Sequence, residues 1–260
     1  MKMVCVIQAR MGSTRLPGKV LADIAGRPML AHVIERAQRI AAVDEVVVAT
    51  TTLPEDEAVQ EAASRFGAGT FAGSLDDVLD RYYKAAKYFR ADVVMRVTAD
   101  CPLLDPAVGD HVVSFYDHGS VDYCSNVLQP TYPDGVHVEI INLPALERSW
   151  QVATLPSDRE HVTTYIRTHP EEFCVINVEG PEDLSHMRWT VDGPTDLEFI
   201  RRVFDHLSSA DGEMPSMVEV LKVLDQHPEL SLINGSHRRH EGWDRSKADD
   251  PKPWDESISS

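Results

Sequence analysis

Hydrophobic and polar positions follow two alternating patterns along the first half of the chain. Short apolar runs rich in Val, at residues 3–7, 45–50 and 92–97, predict buried strands. Residues 55–66 and 75–89 instead repeat apolar side chains at helical spacing. Strands that alternate with helices predict an α/β fold, in which helices cover an open, mostly parallel sheet.

The pattern changes after residue 122, where turn-forming residues become frequent. Three further strands are expected, at residues 136–141, 173–178 and 187–191. The first of these alternates in polarity and should be the more exposed strand. Three further helices are expected, at residues 156–168, 194–207 and 216–226. Residues 236–260 show no periodicity and are interpreted as a flexible or docked tail, which leaves one domain over residues 1–235.

A basic loop follows the first predicted strand, within the sequence IQARMGSTRLPGKVL of residues 7–21. It places Arg10, Arg15 and Lys19 among Gly, Ser and Pro residues, with no acidic side chain between them. Backbone N–H groups of such a loop, together with its cations, can bind a polyphosphate. Val20 stands where a P-loop has the Ser or Thr that binds magnesium, so the loop is not that motif. A solvated surface loop is the alternative interpretation.

Two acidic residues directly follow predicted strands. Asp100 and Asp192 should therefore lie at the carboxyl ends of strands, where open α/β sheets bind their ligands. Carboxylates in this position can bind Mg²⁺ together with substrate phosphates. Asp105 is a better candidate than Asp100 for capping the next helix. Asp196 remains an alternative to Asp192 as the second metal ligand, although its place in the first turn of a helix favours a structural role.

Phosphate-binding cations and two strand-end carboxylates predict nucleotidyl transfer, because such chemistry needs mainly positioning and charge neutralisation. No His accompanies a well-placed Ser or Cys, which argues against hydrolases that use that pair. A glycosyltransferase is less favoured, because that class usually offers two acids as D-x-D and residues 99–101 offer one. A non-catalytic nucleotide-binding module stays open as an alternative.

Composition limits the partners of the chain. Its net charge of −17 argues against nucleic-acid polymers, whose binding depends on cationic surfaces. Residues 1–40 nevertheless carry seven basic and two acidic side chains, which suggests a focused site for a small anion. No apolar stretch approaches the length of a membrane span, so we expect a cytoplasmic protein without membrane contact. Widely spaced cysteines are expected to be reduced: Cys5, Cys101, Cys124 and Cys174.

Six segments, in order over about residues 1–205, resemble the cytidylyltransferase family that activates acidic sugars, which includes CMP-Kdo and CMP-acylneuraminate synthetases. The resemblance is closest to the spore coat polysaccharide biosynthesis branch of that family. The matching segments are IQARMGSTRLPGKVL, GSLDDVLDRYYKAAK, RVTADCPLLDP, YPDGVHVEI, REHVTTYI and RWTVDGPTDLEFI.

The resemblance implies a Rossmann-like nucleotide-diphospho-sugar transferase fold and a homodimer. It implies that CMP passes from CTP to an acidic sugar or another anionic glycan precursor, with Mg²⁺ as cofactor and pyrophosphate as product. An inserted segment, about residues 125–178, would bind the acceptor and form the dimer. Asp100 and Asp192 match the metal ligands, and the basic loop matches the triphosphate site. The nucleotide-binding residues so implied are Gln8, Ala9, Arg10, Gly12, Ser13, Arg15, Lys19, Gly73, Ser74, Asp77, Arg81, Thr98 and Asp100.

The acceptor is less well defined by this resemblance. The residues matched to the acceptor site are His137, Glu139, Arg159 and His161. His137 stands in the sequence DGVHVE where this branch is expected to have an acid, in a pattern like DGLDVE, and this leaves the acceptor's identity open. A sugar-phosphate nucleotidyltransferase that uses GTP or UTP is therefore the nearest alternative.

Overall fold

The computed structural model describes residues 1–207, 214–235, 239 and 246–251. Its centre is a seven-stranded sheet with the order β5-β4-β1-β6-β8-β7-β9. The strands of this sheet are β1 (Met3–Gln8), β4 (Glu45–Thr51), β5 (Gly69–Gly73), β6 (Val93–Thr98), β7 (Tyr123–Ser125), β8 (Glu139–Asn142) and β9 (Val175–Asn177). A two-stranded hairpin of β2 (Asp23–Ile24) and β3 (Arg27–Pro28) stands apart.

Parallel pairing dominates the sheet. β1 pairs in parallel with both β4 and β6, and β4 pairs in parallel with β5. β8 pairs antiparallel with β6 and β7, and β9 returns in parallel beside β7. The register sets Gln8 at the end of β1 opposite Thr98 at the end of β6. The loops that follow these two strands therefore leave the sheet side by side, and the α/β fold with a mostly parallel sheet is confirmed.

Helices cover both faces of the sheet, as its Val-rich strands require. The helices are α1 (Met29–Gln38), α2 (Glu57–Arg65), α3 (Val78–Tyr88), α4 (Pro106–Ser114), α5 (Leu143–Val152), α6 (Pro156–His161), α7 (Thr164–Thr168), α8 (Pro194–His206) and α9 (Met217–Gln226). Apolar residues of α1 and α2 pack on one face, and those of α3 and α5 pack on the other. A third cluster joins α8 and α9 around the fully buried Trp189. Within the described chain, no helix has both the length and the apolar character needed to cross a bilayer.

Three sequence predictions about elements are wrong. The expected helix over 156–168 is broken into α6 and α7, because Val162 has a positive φ of 65° with a ψ of −55°, which is not helical, and ends α6. Residues 187–191 form no ladder; a single bridge joins Asp134 to Arg188. The strand expected at 136–141 shrinks to β8, which is buried rather than exposed because it lies between β6 and β7. Six elements also lie where no element was predicted: β2, β3, α1, β5, β7 and α5.

Most of the predicted tail, residues 236–260, lies outside the described residues. Its described part makes defined contacts with the body. Arg239 Nη1 donates a hydrogen bond to the backbone oxygen of Tyr132 at 3.0 Å. Asp250 accepts hydrogen bonds from the backbone N–H and the hydroxyl of Ser157, at 2.9 and 2.6 Å. These contacts attach residues 239 and 250 to residues 132 and 157 of the body.

Candidate active site

A cleft of about 900 Å³ opens at the carboxyl ends of β1 and β6. The loop after β1 forms one wall, the start of α3 forms another, and α6 lies across them. All five residues predicted to be catalytic line this cleft: Arg10, Arg15, Lys19, Asp100 and Asp192. The cleft is also lined by most of the predicted nucleotide-binding residues, namely Gln8, Ala9, Gly12, Ser13, Asp77, Arg81 and Thr98.

Backbone contacts fix the shape of the basic loop. Gly18 donates its N–H to the oxygen of Met11 at 2.9 Å, which draws the two ends of the loop together. The φ angle of Gly18 is 71°, a left-handed conformation that glycine adopts without strain. Met11 donates its own N–H to the buried carboxylate of Asp56 at 2.6 Å. The exposed cations of Arg10 and Arg15 thus stand on an anchored backbone beside the cleft.

Lys19 joins the two predicted metal ligands. Its Nζ donates to Asp192 Oδ1 at 2.9 Å, to Asp100 Oδ2 at 3.2 Å and to the backbone oxygen of Val191 at 2.7 Å. Burial alone would lower the pKa of Lys19, but the two carboxylates outweigh it and raise that pKa above its usual value. Lys19 is therefore a protonated cation that holds together two acids from segments distant in sequence.

Asp192 has further cationic neighbours. Arg188 Nη2 donates to Asp192 Oδ2 at 3.0 Å, and Arg15 Nη2 approaches the same oxygen at 3.5 Å. Burial would raise the pKa of Asp192, yet Lys19, Arg188 and Arg15 outweigh it and lower the pKa below its usual range. Asp192 is consequently ionised at neutral pH and presents a carboxylate to the cleft.

Asp196 is fully used in a structural role. Its side chain accepts the backbone N–H groups of Asp192 and Gly193, both at 3.0 Å, and pairs with Arg188. It is completely buried and caps the first turn of α8. Asp105 likewise caps α4 through the N–H of Ala107 at 2.7 Å, as the sequence predicted. Of these four acids, Asp100 and Asp192 are the two that line the cleft.

The arrangement fits a divalent cation. Oxygens of Asp100 and Asp192 converge on a single positive group, the Lys19 ammonium, so this point already accommodates positive charge. Among the described residues no cluster of three or more His, Cys, Asp or Glu side chains could hold a metal. Two carboxylates suit Mg²⁺, which takes few protein ligands and completes its shell with water and substrate phosphates.

The segment between β5 and α3 borders the same cleft. Asp77 caps α3 by accepting the N–H of Asp80 at 2.8 Å, and its carboxylate also binds Arg159 of α6 through Nε at 3.0 Å. The backbone of Ser74 accepts from Arg81 Nη1 at 2.9 Å. Gly73 and Ser74 lie behind the lining, where they support Arg81 and Asp77. This network ties α6 to α3 across the opening.

The predicted acceptor residues separate into two pairs. Arg159 and His161 line the cleft from α6. Glu139 is 3% exposed, lies in the sheet and pairs with Arg96. His137 lies against Asp134, with Nε2 to Oδ1 at 3.2 Å, and against Arg239. The structure therefore brings together one half of the predicted acceptor set and not the other.

Sequence reasoning missed several lining residues. Arg96 is the most informative, because it is a charged residue within an otherwise apolar strand, and that is a signal the sequence did contain. Thr14, Asp76 and Thr154 also line the cleft. Asp56, which anchors the basic loop, is an acid shortly after the second predicted strand.

Comparison with known proteins gives the family of this chain. Residues 4–225 match the family model described as cytidylyltransferase. The chain belongs to the cytidylyltransferase family. The family expected from the six sequence segments is thereby confirmed, and with it an enzyme of the nucleotidyltransferase class.

Two relatives of this cytidylyltransferase align with most of its length, and a third aligns with less than half of it. The chain is 33% identical over 236 residues to the spore coat polysaccharide biosynthesis protein SpsF of Bacillus subtilis (strain 168), covering 87% of this chain and 95% of that protein. A solved cytidylyltransferase from Leptospira borgpetersenii serovar Hardjo-bovis is similar at a TM-score of 0.85 with 32% identity, covering 92% of this chain and all of the other. The 3-deoxy-manno-octulosonate cytidylyltransferase of Geobacter sulfurreducens is 40% identical over 116 residues, 44% of this chain and 45% of that enzyme.

Proposed function

We propose that this cytidylyltransferase transfers CMP from CTP to an acidic sugar or a related anionic glycan precursor, with release of pyrophosphate. The observation that carries the proposal is the convergence of Lys19, Asp100 and Asp192 beside two exposed arginines in one cleft. Such a site combines cations for a polyphosphate with carboxylates for a metal. The 3-deoxy-manno-octulosonate cytidylyltransferase among the relatives supports a sugar acid as the acceptor class.

The reaction forms one bond and breaks one. An acceptor oxygen attacks the α-phosphorus of CTP. The bond between the α-phosphorus and the oxygen that bridges it to the β-phosphate breaks, and the acceptor proton passes to solvent. Arg10, Arg15 and Lys19 bind the departing phosphates and offset the charge that develops on them. Asp100 and Asp192 would hold Mg²⁺, which when bound supplies positive charge at the α-phosphate and favours ionisation of the acceptor hydroxyl.

Residues 125–178 are proposed as the acceptor-binding and dimer-forming segment of a single domain over residues 1–235. Its helix α6 borders the cleft, and this supports an acceptor site on that side. Sedimentation of the purified protein should give twice the chain mass of 29.0 kDa.

A pyrophosphate-release screen tests the proposed reaction. Purified protein is incubated with Mg²⁺ and each of the four nucleoside triphosphates against sugar acids, sugar phosphates and neutral sugars. We expect release with CTP and a sugar acid. Release with GTP or UTP and a sugar phosphate would favour the alternative nucleotidyltransferase, and no release from any combination by folded protein would contradict the proposal.

A further inference from the structure

Three polar side chains lie side by side across three neighbouring strands: Gln8 on β1, Arg96 on β6 and Glu139 on β8. Arg96 stands directly opposite Glu139 in the antiparallel register, and its Nη1 donates to Glu139 Oε1. Its Nη2 donates to Gln8 Oε1 at 3.1 Å. The Arg96 guanidinium also lies 5.8 Å from the ring centre of Tyr82. Three side chains therefore fix the position of this guanidinium: the Glu139 carboxylate, the Gln8 amide and the Tyr82 ring.

An ion pair in the middle of a sheet is not explained by stability. Removing two charges from water is costly, and apolar residues of similar volume often serve a core equally well. The neighbouring positions of β6 are apolar or small, as the sequence VVMRVT shows. Arg96 and Glu139 are therefore candidates for a functional rather than a structural role.

Protein groups already occupy the Glu139 carboxylate. Its carboxylate accepts from the Tyr123 hydroxyl at 2.5 Å, from Thr163 Oγ1 at 2.7 Å and from Arg96. It is 3% exposed. Burial would raise its pKa, but Arg96 leads the groups that outweigh burial and hold the pKa at about 2. Glu139 is therefore an ionised group whose contacts all lie beneath the cleft.

Arg96 does reach the cleft, with 14% of its side chain exposed. Its Nε, and Nε2 of His161 on the facing helix α6, have no hydrogen-bond partner among the residues that the structure describes. A buried donor without a partner costs free energy, which an incoming oxygen can recover.

Arg96 lies in the same cleft as the basic loop but on a different element. The basic loop follows β1, whereas Arg96 lies on β6 and faces α6, where the cleft is lined by Arg159, Glu160 and His161. Arg159 is already engaged with Asp77 and with the backbone oxygen of Trp150 at 2.7 Å. Arg96, by contrast, keeps an Nε donor that has no partner among the described residues and can receive an anionic group.

We propose that Arg96 selects a carboxylate-bearing acceptor, and that Glu139 is the positioning residue that holds Arg96 in place. This inference rests on the proposed function, because it names the residue that recognises the acceptor of that reaction. Guanidinium groups suit the role, since their planar donors match a carboxylate and form stronger hydrogen bonds than neutral donors do. Glu139, assigned to the acceptor by resemblance, would act on it only through Arg96.

The decisive variant removes both charges together. Arg96→Gln combined with Glu139→Gln leaves no unpaired buried charge, and Arg27→Gln combined with Glu35→Gln is the matched control, a surface pair outside the cleft lining. Arg96→Lys keeps the positive charge but loses the planar pair of guanidinium donors, and it provides a second, milder variant. Urea unfolding verifies that each protein is folded before it is used.

Calorimetric titration in the presence of CTP, without metal, gives the readout. The probes are glucuronate, galacturonate and a 2-keto-3-deoxy sugar acid, each beside its neutral carboxamide. We expect the wild type and the control pair to bind at least one acid about tenfold or more tightly than its amide. The Arg96/Glu139 double variant should lose this preference, Arg96→Lys should weaken it, and CTP affinity should stay within about twofold throughout.

Two results would overturn the proposal: no preference for any acid in the wild type, or a preference that survives in the double variant. The outcome is distinguishable from failure of the proposed function. If the protein prefers acids through Arg96 but releases no pyrophosphate, the acid-binding role of Arg96 stands and the proposed reaction fails. If the double variant turns over and keeps its acid preference, the proposed reaction stands and the role of Arg96 fails.

Discussion

At the scale of single residues, Lys19 is the centre of the site. Its ammonium contacts acids from two parts of the chain, at positions 100 and 192, and also lies on the loop proposed to bind phosphates. A cation in this place can neutralise the carboxylates before substrate binds and the leaving phosphates afterwards. Its side chain is only 13% exposed, so neighbouring groups restrict the positions that the ammonium group can take.

Removal of the Lys19 charge should therefore affect catalysis more than folding. We expect Lys19→Ala to lower kcat for pyrophosphate release by about 10²–10³-fold, the usual effect of losing one preorganised electrostatic contact. Lys84→Ala is the matched control, since Lys84 pairs with Asp80 on the helix surface and is 57% exposed. Equal rates for the two variants would show that Lys19 has no part in the reaction.

The Arg96–Glu139 pair also predicts the response of stability to acid. The folded-state pKa of Glu139 is about 2, below the unfolded value of 4.5, so the unfolded chain binds this proton first. The resulting stabilisation is complete above pH 4.5 and is lost as the pH falls towards 2. Urea unfolding of the wild type should show the free energy of unfolding declining over this interval, with a smaller decline in the Arg96/Glu139 double glutamine variant. The same decline in both proteins would contradict the assignment.

At the scale of elements, irregular segments rather than helices or strands deliver Asp192 to the cleft. Residues 187–192 run beside residues 134–136 and then reach Asp100. Trp189 N donates to Asp134 O at 2.6 Å, and Val191 N donates to Asp100 O at 2.9 Å. Gly135 makes this approach feasible, because its φ is 113° and an added Cβ would lie 2.6 Å from the backbone carbon of Trp189.

A methyl group at this crossing should disturb both stability and the site. We expect Gly135→Ala to lower the free energy of unfolding by about 3 kcal/mol, from overpacking together with left-handed strain. Gly119→Ala, where the nearest atom to an added Cβ is the Asp117 carboxylate at 3.8 Å, should change it by less than about 0.5 kcal/mol. Urea denaturation measures both. A Gly135→Ala protein as stable as the control would mean that the close approach is not needed.

The sequence predicts best the elements whose pattern of apolar residues is complete within the element itself. β1, β4 and β6 are Val-rich strands, and α3 and α9 carry one apolar face, so periodicity alone finds them. α1 was missed although it is amphipathic, and its side chains from Met29 to Ala37 are buried except that of Glu35. β5 escaped because GTFAG is short and contains two glycines.

At the scale of the whole molecule, the site depends on contacts between distant parts of the sequence. The basic loop and Asp100 could be predicted, because each directly follows a strand in the carboxyl-end position. The pairing of Lys19 with Asp192 joins residues 173 positions apart, and that of Arg96 with Glu139 joins residues 43 apart. The first pair is set by the path of the irregular segment 187–192 and the second by strand order and register, and composition and periodicity reveal neither. Glu139 was therefore assigned to the acceptor by resemblance, and its burial beneath Arg96 emerged from the structure.

The distribution of charge over the molecule is consistent with a site for a small anionic substrate. The chain carries a net charge of −17, yet the loop after β1 presents exposed Arg10 and Arg15 to the cleft. A local positive site in an acidic protein favours a small polyanion over a nucleic-acid polymer. Binding of the triphosphate should thus depend on a few residues near the amino terminus rather than on the surface as a whole.

The fate of labelled CTP tests the central claim most directly. CTP labelled at the α-phosphate and, separately, at the γ-phosphate is incubated with Mg²⁺, the wild-type protein and the sugar acids. The account predicts that the α label enters the acceptor as a CMP conjugate while the γ label leaves as pyrophosphate, and that Asp100→Asn lowers both by orders of magnitude. An α label that never reaches an acceptor, or a γ label released as single phosphate, would contradict it.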